Sequence, residues 1–248
     1  MPAIEARQIQ KSFLRGKQRA DVLRGVDLKV KRGEIVFLVG PSGSGKSTLL
    51  AILGCILSPD QGDVRLLGQS LRGLSPEART LLRRDKIGFV FQKFQLIRGL
   101  TAIDNVRVPL MLKGVSDSVS QQRGRELLVD VGLADHLTAD PRRMSAGQCQ
   151  RIAIARALAS DPELIFADEP TASLDETNGR LAMELFARLV RERNKTAIVV
   201  THDPRIYSFA DRILEVKDGM VREHSTGPIP QTALVGSVPL AKLMATGS

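Results

Sequence analysis

The segment Gly40-Pro41-Ser42-Gly43-Ser44-Gly45-Lys46-Ser47-Thr48 constrains this chain more than any other. It stands between the apolar run Ile35-Val36-Phe37-Leu38-Val39 and the apolar stretch that begins at Leu49. It matches Gly-x-x-x-x-Gly-Lys-Ser/Thr in the setting that pattern needs, with a strand before it and a helix after. Five apolar residues without alternation predict a central strand buried on both faces. A loop that leaves such a strand and opens a helix gathers backbone N–H groups and the positive end of the helix dipole at one point, which suits phosphate. The glycines let the amides turn inward, Lys46 can reach terminal phosphates, and Ser47 can hold Mg²⁺. A glycine-rich turn carrying a surface lysine would explain the glycines but not the flanking strand and helix.

The remaining pattern is that of an α/β chain. Residues 4–13 and 22–30 read as strands, the second alternating through Val26, Leu28 and Val30. A helix is expected over 46–57, stopped near Pro59, with Cys55 inside it. Residues 63–67, 87–91, 164–167 and 197–201 read as further strands. From about 92 to 160 the pattern is helical, most clearly at 119–131 and 146–159. Residues 178–193 form another helix, with Leu181, Leu185 and Leu189 on one face. Residues 212–216 and 220–222 read as a hairpin around Asp218-Gly219. Strands alternating with helices predict a mainly parallel sheet covered on both faces. Residues 3–224 are expected to form the domain, with a helical subdomain near 92–160. Residues 225–248, with the single charge Lys242, read as a loosely ordered tail.

Leu164-Ile165-Phe166-Ala167-Asp168-Glu169 supplies a second half to the site. An apolar strand delivers two carboxylates at its C-terminal end, where open α/β sheets bind ligands. Asp168 can hold Mg²⁺, and Glu169 can face an attacking water. Alone, an Asp-Glu pair after a strand is often a solvated turn; paired with a phosphate loop it gains meaning. Ser145 is a good cap for a helix over 146–159, and a capped helix start with Gly147 behind it is a further anion site. Since the chain already has its phosphate loop, this second helix start needs another role. Gln92 follows an apolar strand, and His202 ends one. A loop amide and a satisfied histidine are the ordinary readings of these two. His136 and His224 are assigned nothing.

At this point the chain resembles a known family. Met144-Ser145-Ala146-Gly147-Gln148-Cys149-Gln150-Arg151 is similar to the signature motif of ABC-type ATPases. Residues 168–175, Asp-Glu-Pro-Thr-Ala-Ser-Leu-Asp, resemble that family's Walker B motif and D-loop; His202 resembles its switch histidine, and Gln92 its Q-loop glutamine. The resemblance spans about 3–224 and is greatest to ATPases of the lipoprotein-release and macrolide-efflux type. It implies an α/β P-loop NTPase core, an N-terminal antiparallel β subdomain and an inserted helical subdomain. It implies ATP and Mg²⁺ as ligands, with ATP hydrolysed to drive transport through a separate integral-membrane permease. Two subunits, expected to be identical, would sandwich two ATP molecules, and Ser145, Gly147 and Gln148 would close over the partner's nucleotide. Glu169, His202, Lys46 and Gln92 are the expected catalytic group, and Ser47, Gln92 and Asp168 the expected metal ligands. Phe13 stands where the family has an adenine-stacking tyrosine and keeps the aromatic face. Ala146 replaces the signature's first glycine and Met144 its leucine; a methyl group is compatible with helical backbone, so function is expected to survive.

Composition narrows the rest. The longest apolar run, 49–57, falls well short of the roughly 20 residues a membrane helix needs. No secretory leader is evident at the N-terminus, so a cytoplasmic protein bound to the inner face of the cell membrane is expected. The net charge of +9 could favour nucleic acid or an anionic membrane surface, but the basic residues are scattered and lack interleaved aromatics for base stacking. No nucleic-acid partner is expected; the resemblance allows a periplasmic adaptor in the assembled transporter. Two cysteines, Cys55 and Cys149, make no disulfide framework. Three rival readings are weaker. A DNA-repair ATPase would carry long coiled coils between Ser47 and Ser145, a translation-associated ATPase would carry two cassettes, and a small-molecule kinase leaves 144–151 unexplained.

Overall fold

The computed structural model describes residues 1–16 and 18–224; the tail expected at 225–248 lies outside the described residues. The chain opens with strands β1 (Ile4–Arg15) and β2 (Gln18–Val30), then β3 (Ile35–Val39), helix α1 (Lys46–Leu53), strands β4 (Gln61–Leu66) and β5 (Gln69–Ser70), helix α2 (Pro76–Lys86) and strand β6 (Ile87–Val90). Helices α3 (Ala102–Leu112), α4 (Asp117–Asp130) and α5 (Ala146–Ala159) follow before β7 (Leu164–Asp168). Helix α6 (Glu176–Glu192) and strands β8 (Thr196–Val200), β9 (Arg212–Lys217) and β10 (Met220–Glu223) complete the described part.

The strands form two sheets. An antiparallel sheet runs β2-β1-β4-β5, and a second runs β10-β9-β3-β8-β7-β6, parallel throughout except for the closing β9-β10 hairpin. That hairpin turns at Asp218 and Gly219, both with positive φ (51° and 75°), the conformation a tight two-residue turn demands. The parallel strands are apolar on both faces because each face has its own core. Ile35, Phe37 and Val39 join α3, α4, α5 and α6 on one side. Val36 and Leu38 join α1 and the antiparallel sheet on the other. Helix α1 is thus gripped between the two sheets, which fixes where its first turn points.

Two expectations need correction. The helix expected over 46–57 ends at Leu53, so Cys55 lies outside it, in a left-handed conformation (φ 61°). The helix is capped at Gly54, whose missing side chain lets Phe89 of β6 pack against the backbone; a Cβ there would stand 2.3 Å from Phe89 Cζ. The helical segment also starts later than 92. Residues 92–101 form a loop, held by the fully buried Asn105 of α3, which accepts from the Ile97 N–H at 2.7 Å and donates to the carbonyls of Ile97, Leu100 and Thr101 at 3.0–3.3 Å. Helix α2 carries no fully buried residue; its marks in the sequence are the Ser75 cap followed by Pro76 and the short Ala78–Leu82 stripe, of which Leu82 packs against the core.

Candidate active site

The phosphate loop owes its shape to contacts from distant strands. Gly40 has φ 136°, and a Cβ there would lie 2.2 Å from the backbone carbonyl of Val216 in β9, so no larger residue fits. Gly43 (φ 78°) faces open space, leaving room for a close approach. The loop folds around Lys46, whose buried ammonium donates to the carbonyls of Gly40 and Pro41, both at 2.8 Å. Helix α1 begins with no side-chain cap and no acidic residue in its first turn, so its leading N–H groups keep their capacity for an anion. Ser44 Oγ is buried without a protein partner. An orphaned hydroxyl, uncapped amides and a lysine at one loop form a cradle that fits the phosphates of ATP.

The carboxylate end of β7 completes it. Ser47 Oγ donates to Asp168 Oδ1 at 3.1 Å. Burial pushes the Asp168 carboxyl above its ordinary value and the neighbouring Glu169 adds to this, while the Ser47 hydrogen bond and Lys46 act in the opposite sense. A divalent cation would favour the charged form. The Asp168 carboxylate and the Ser47 hydroxyl, with Gln92 on the wall of the same cleft, are oxygen donors that would fit Mg²⁺ rather than zinc. Among the described residues no cluster of three His, Cys, Asp or Glu side chains offers a different metal site.

Glu169 is held unusually. Its φ is 48°, although it precedes Pro170, whose ring disfavours helical geometry in the residue before it. Its N–H donates to the Val200 carbonyl at 2.9 Å, and its Oε2 lies 2.8 Å from Nδ1 of His202. A non-glycine residue in a left-handed conformation costs stability and is retained where the surroundings require it. His202 is two-thirds exposed while the Glu169 side chain is 15% exposed, so the imidazole covers the carboxylate from the solvent side. Gln92 is exposed, and its carbonyl accepts from Ser173 Oγ at 2.9 Å, tying the second residue after β6 to the segment after β7.

Phe13, the loop residues 40–43 and 45–48, Gln92, Glu169 and His202 line one cleft of about 750 Å³, together with Val22, which no sequence signal had marked. Ser44 and Asp168 adjoin it through the buried side of the loop and through Ser47. Ser145, Gly147 and Gln148 do not line it. They open α5 in a complete capping box, with Ser145 Oγ accepting from the Gln148 N–H at 3.2 Å and Gln148 Oε1 accepting from the Ser145 N–H at 2.9 Å. A Cβ on Gly147 would meet Asn178 Oδ1 at 2.9 Å, and Asn178 is itself tied to Asp175 at 2.6 Å, so this glycine admits the start of α6. His136, unassigned from sequence, lies 3.2 Å from the Gln148 side chain. A second cleft of about 520 Å³ has Arg7, Lys29 and Arg212 in its wall, but these are neutralised by Glu5 and Glu34.

Phe13 is 40% exposed, with Lys11 Nζ 5.5 Å from its ring centroid. If the ring carries the adenine, Phe13→Ala raises the KM for ATP about tenfold with kcat nearly unchanged, the loss expected for one stacked base. Steady-state kinetics check this; an unaltered KM removes Phe13 from the site.

A phosphate loop and an Asp-Glu pair, converging at the C-terminal edge of a parallel sheet, define a P-loop ATPase. The sequence profile of the ABC transporter family matches residues 23–172, and the chain belongs to that family. It is 44% identical over 237 residues to the macrolide export ATP-binding/permease protein MacB of Syntrophobacter fumaroxidans, covering 94% of this chain and 33% of that protein. It is 42% identical to an uncharacterised ABC transporter ATP-binding protein of Methanocaldococcus jannaschii, covering 89% of this chain and 98% of that one. The chain therefore spans about a third of the length of the MacB relatives and nearly all of the second kind. Among solved structures, the ATP-binding cassette MJ0796, a dimer in a post-hydrolysis state bound to ADP and Pi, superposes with a TM-score of 0.82 at 42% identity, covering 89% of this chain and 97% of that one. The chain is a transporter-associated ATPase that binds ATP with Mg²⁺.

Proposed function

We propose that two copies of this chain sandwich two ATP molecules and drive a permease, each copy supplying one half of each site. The observation that carries this is the division of the site: the cleft holds Lys46 and Glu169, while the capped α5 helix start at Ser145 lies outside it. A helix start directed at a second phosphate group within the same chain would be redundant; directed at a partner's ATP it has a use. The dimeric state of the MJ0796 cassette supports this reading.

Within each site Lys46 balances charge that develops on the phosphates, and Glu169 takes the proton of the attacking water. His202 holds the Glu169 carboxylate in line. Ser47, Asp168 and Gln92 hold Mg²⁺, which supplies further neutralisation of the phosphate oxygens. Positioning and electrostatics carry nearly all such catalysis. Glu169 and Gln92 act on the hydrolysed bond, and the cradle 40–48 on binding.

Among the described residues no helix is long and apolar enough to cross a membrane. In this reading the permease is a separate polypeptide and the chain lies on the cytoplasmic face of the cell membrane. The MacB relatives, named for macrolide export, support the macrolide-efflux reading; lipoprotein release and a periplasmic adaptor beyond the permease rest on the sequence resemblance alone. The domain is taken as 3–224, with its helical subdomain near 92–160 entered through the loop at 92–101, and the tail from 225.

The permease docks beside the loop that follows Gln92. There Ile97 is 44% exposed and Lys93 exposed, while Leu96 turns inward against the core. Arg156 of α5 anchors the same loop through the carbonyls of Phe94 and Gln95, at 2.6 and 2.5 Å. One short segment thus senses both phosphate and permease. Affinity capture from detergent-solubilised membranes should recover an integral membrane protein. Ile97→Asp and Lys93→Glu should each reduce its recovery about tenfold, the effect of one interface anchor, and leave nucleotide binding intact. Recovery and transport at wild-type levels in both variants would place docking elsewhere.

A further inference from the structure

We propose that Gln150 is a positioning residue for hydrolysis: from the body of α5 it fixes the backbone that holds Glu169 in its left-handed conformation. This rests on the reading of Glu169 as the group that takes the proton from water.

Gln150 is fully buried, with Ile152, Ile154 and Leu158 of the same helix in the core beneath it. Its Nε2 donates to the Pro170 carbonyl at 2.7 Å. Its Oε1 has no protein partner. Burying an amide with one end unpaired is unfavourable, and an apolar side chain of like volume would suit a core position better. Packing therefore does not account for glutamine here; the bond to Pro170 does.

Pro170 has no N–H, so its carbonyl is the one backbone group by which hydrogen bonds can hold it. The residue before it needs holding. Glu169 has φ 48°, a strained value sustained only when both flanks are fixed. On the N-terminal flank the Glu169 N–H donates to Val200 of β8 at 2.9 Å. On the C-terminal flank the Glu169 carbonyl accepts from the Ala172 N–H at 3.2 Å, and Gln150 holds the next carbonyl, that of Pro170. His202 orients the carboxylate but does not touch the backbone that aims it. Remove Gln150's donor and the 170–171 peptide loses its hold, leaving the 3.2 Å bond from Ala172 as the one hydrogen bond given for the C-terminal side of Glu169; the residue can then relax toward extended geometry, moving the carboxylate away from the cleft.

The position along α5 gives the contact a further use. Gln150 lies five residues after the Ser145 cap, on a helix whose cap and first residue are exposed and whose body reaches Pro170. A ligand drawn to the helix start shifts the same rigid element that sets the aim of Glu169. Engagement of α5 then governs hydrolysis in α5's own subunit.

The test uses the full chain with Gln150→Leu and Gln150→Met, which remove the donor, keep the volume and suit the core, alongside Glu169→Gln. The expected result is a fall in kcat of about 100-fold, the scale of a displaced catalytic group. KM for ATP and equilibrium ATP binding stay within twofold, and the melting temperature falls by no more than a few degrees, the cost of leaving the Pro170 carbonyl unpaired. Adding Gln150→Leu to Glu169→Gln should cause no further loss, because the two act through one group. Turnover within threefold of wild type in either folded variant, or a loss matched by a fall in ATP binding, overturns the proposal. If Glu169→Gln itself hydrolyses ATP at the wild-type rate, the reading of Glu169 has failed. If that variant is inactive while Gln150→Leu turns over normally, only the role of Gln150 has failed.

Discussion

Glu169→Gln should leave ATP bound and reduce its turnover by roughly a thousandfold, within the range for loss of a general base. The substitution keeps the shape and the contact with His202 but removes the basic oxygen. It leaves untouched the groups that hold phosphate: Lys46, the uncapped start of α1, and Ser47. Binding and hydrolysis therefore separate. Because bound ATP is shared between two copies in the proposed arrangement, the variant should accumulate as an ATP-bound dimer. Size-exclusion chromatography with Mg-ATP reads this directly. A profile showing only monomer, under conditions where binding is verified, would contradict the shared site; undiminished phosphate release would contradict the role of Glu169.

Lys46→Ala should abolish measurable ATPase activity and weaken ATP binding by roughly 10- to 100-fold, as loss of a charge-assisted contact predicts. The ammonium has two functions: it holds the loop carbonyls of Gly40 and Pro41 in the structure, and it balances phosphate charge when ATP is bound. The variant also tests the division of the site. A mixture with Ser145→Ala should regain activity, because some dimers then carry one site with both Lys46 and Ser145 intact. The Ser145 variant loses about 1 kcal/mol of stability with its cap, so melting temperatures are compared first. If verified heterodimers never exceed the sum of the two inactive parents, each copy does not complete the other's site, or one intact site does not suffice.

Local order left the strongest marks on the sequence. Residues 40–48 follow β3 and open α1 as the motif required, and Ser145 caps a helix that runs Ala146–Ala159 as expected. The hairpin at Asp218-Gly219 also follows from turn chemistry. In each case the determinant lies within a few residues of its effect, in a cap, a turn or an apolar run. Helix α2 escaped because no residue of it is fully buried and Leu82 alone packs against the core, and the loop at 92–101 because its support, Asn105 and Arg156, is distant or in another element.

What the sequence determined by itself is therefore the inventory of the site: a phosphate cradle, a strand-end carboxylate pair, a glutamine, a histidine and a second helix start. Only the tertiary structure decided how these meet. Gly40 must be glycine because the carbonyl of Val216 stands against it. Glu169 is aimed by Val200 on one side and Gln150 on the other. Ser145 is kept out of the cleft it resembles. Such facts depend on which strands and helices become neighbours, and long-range packing sets that while leaving no periodicity in the residues it brings together.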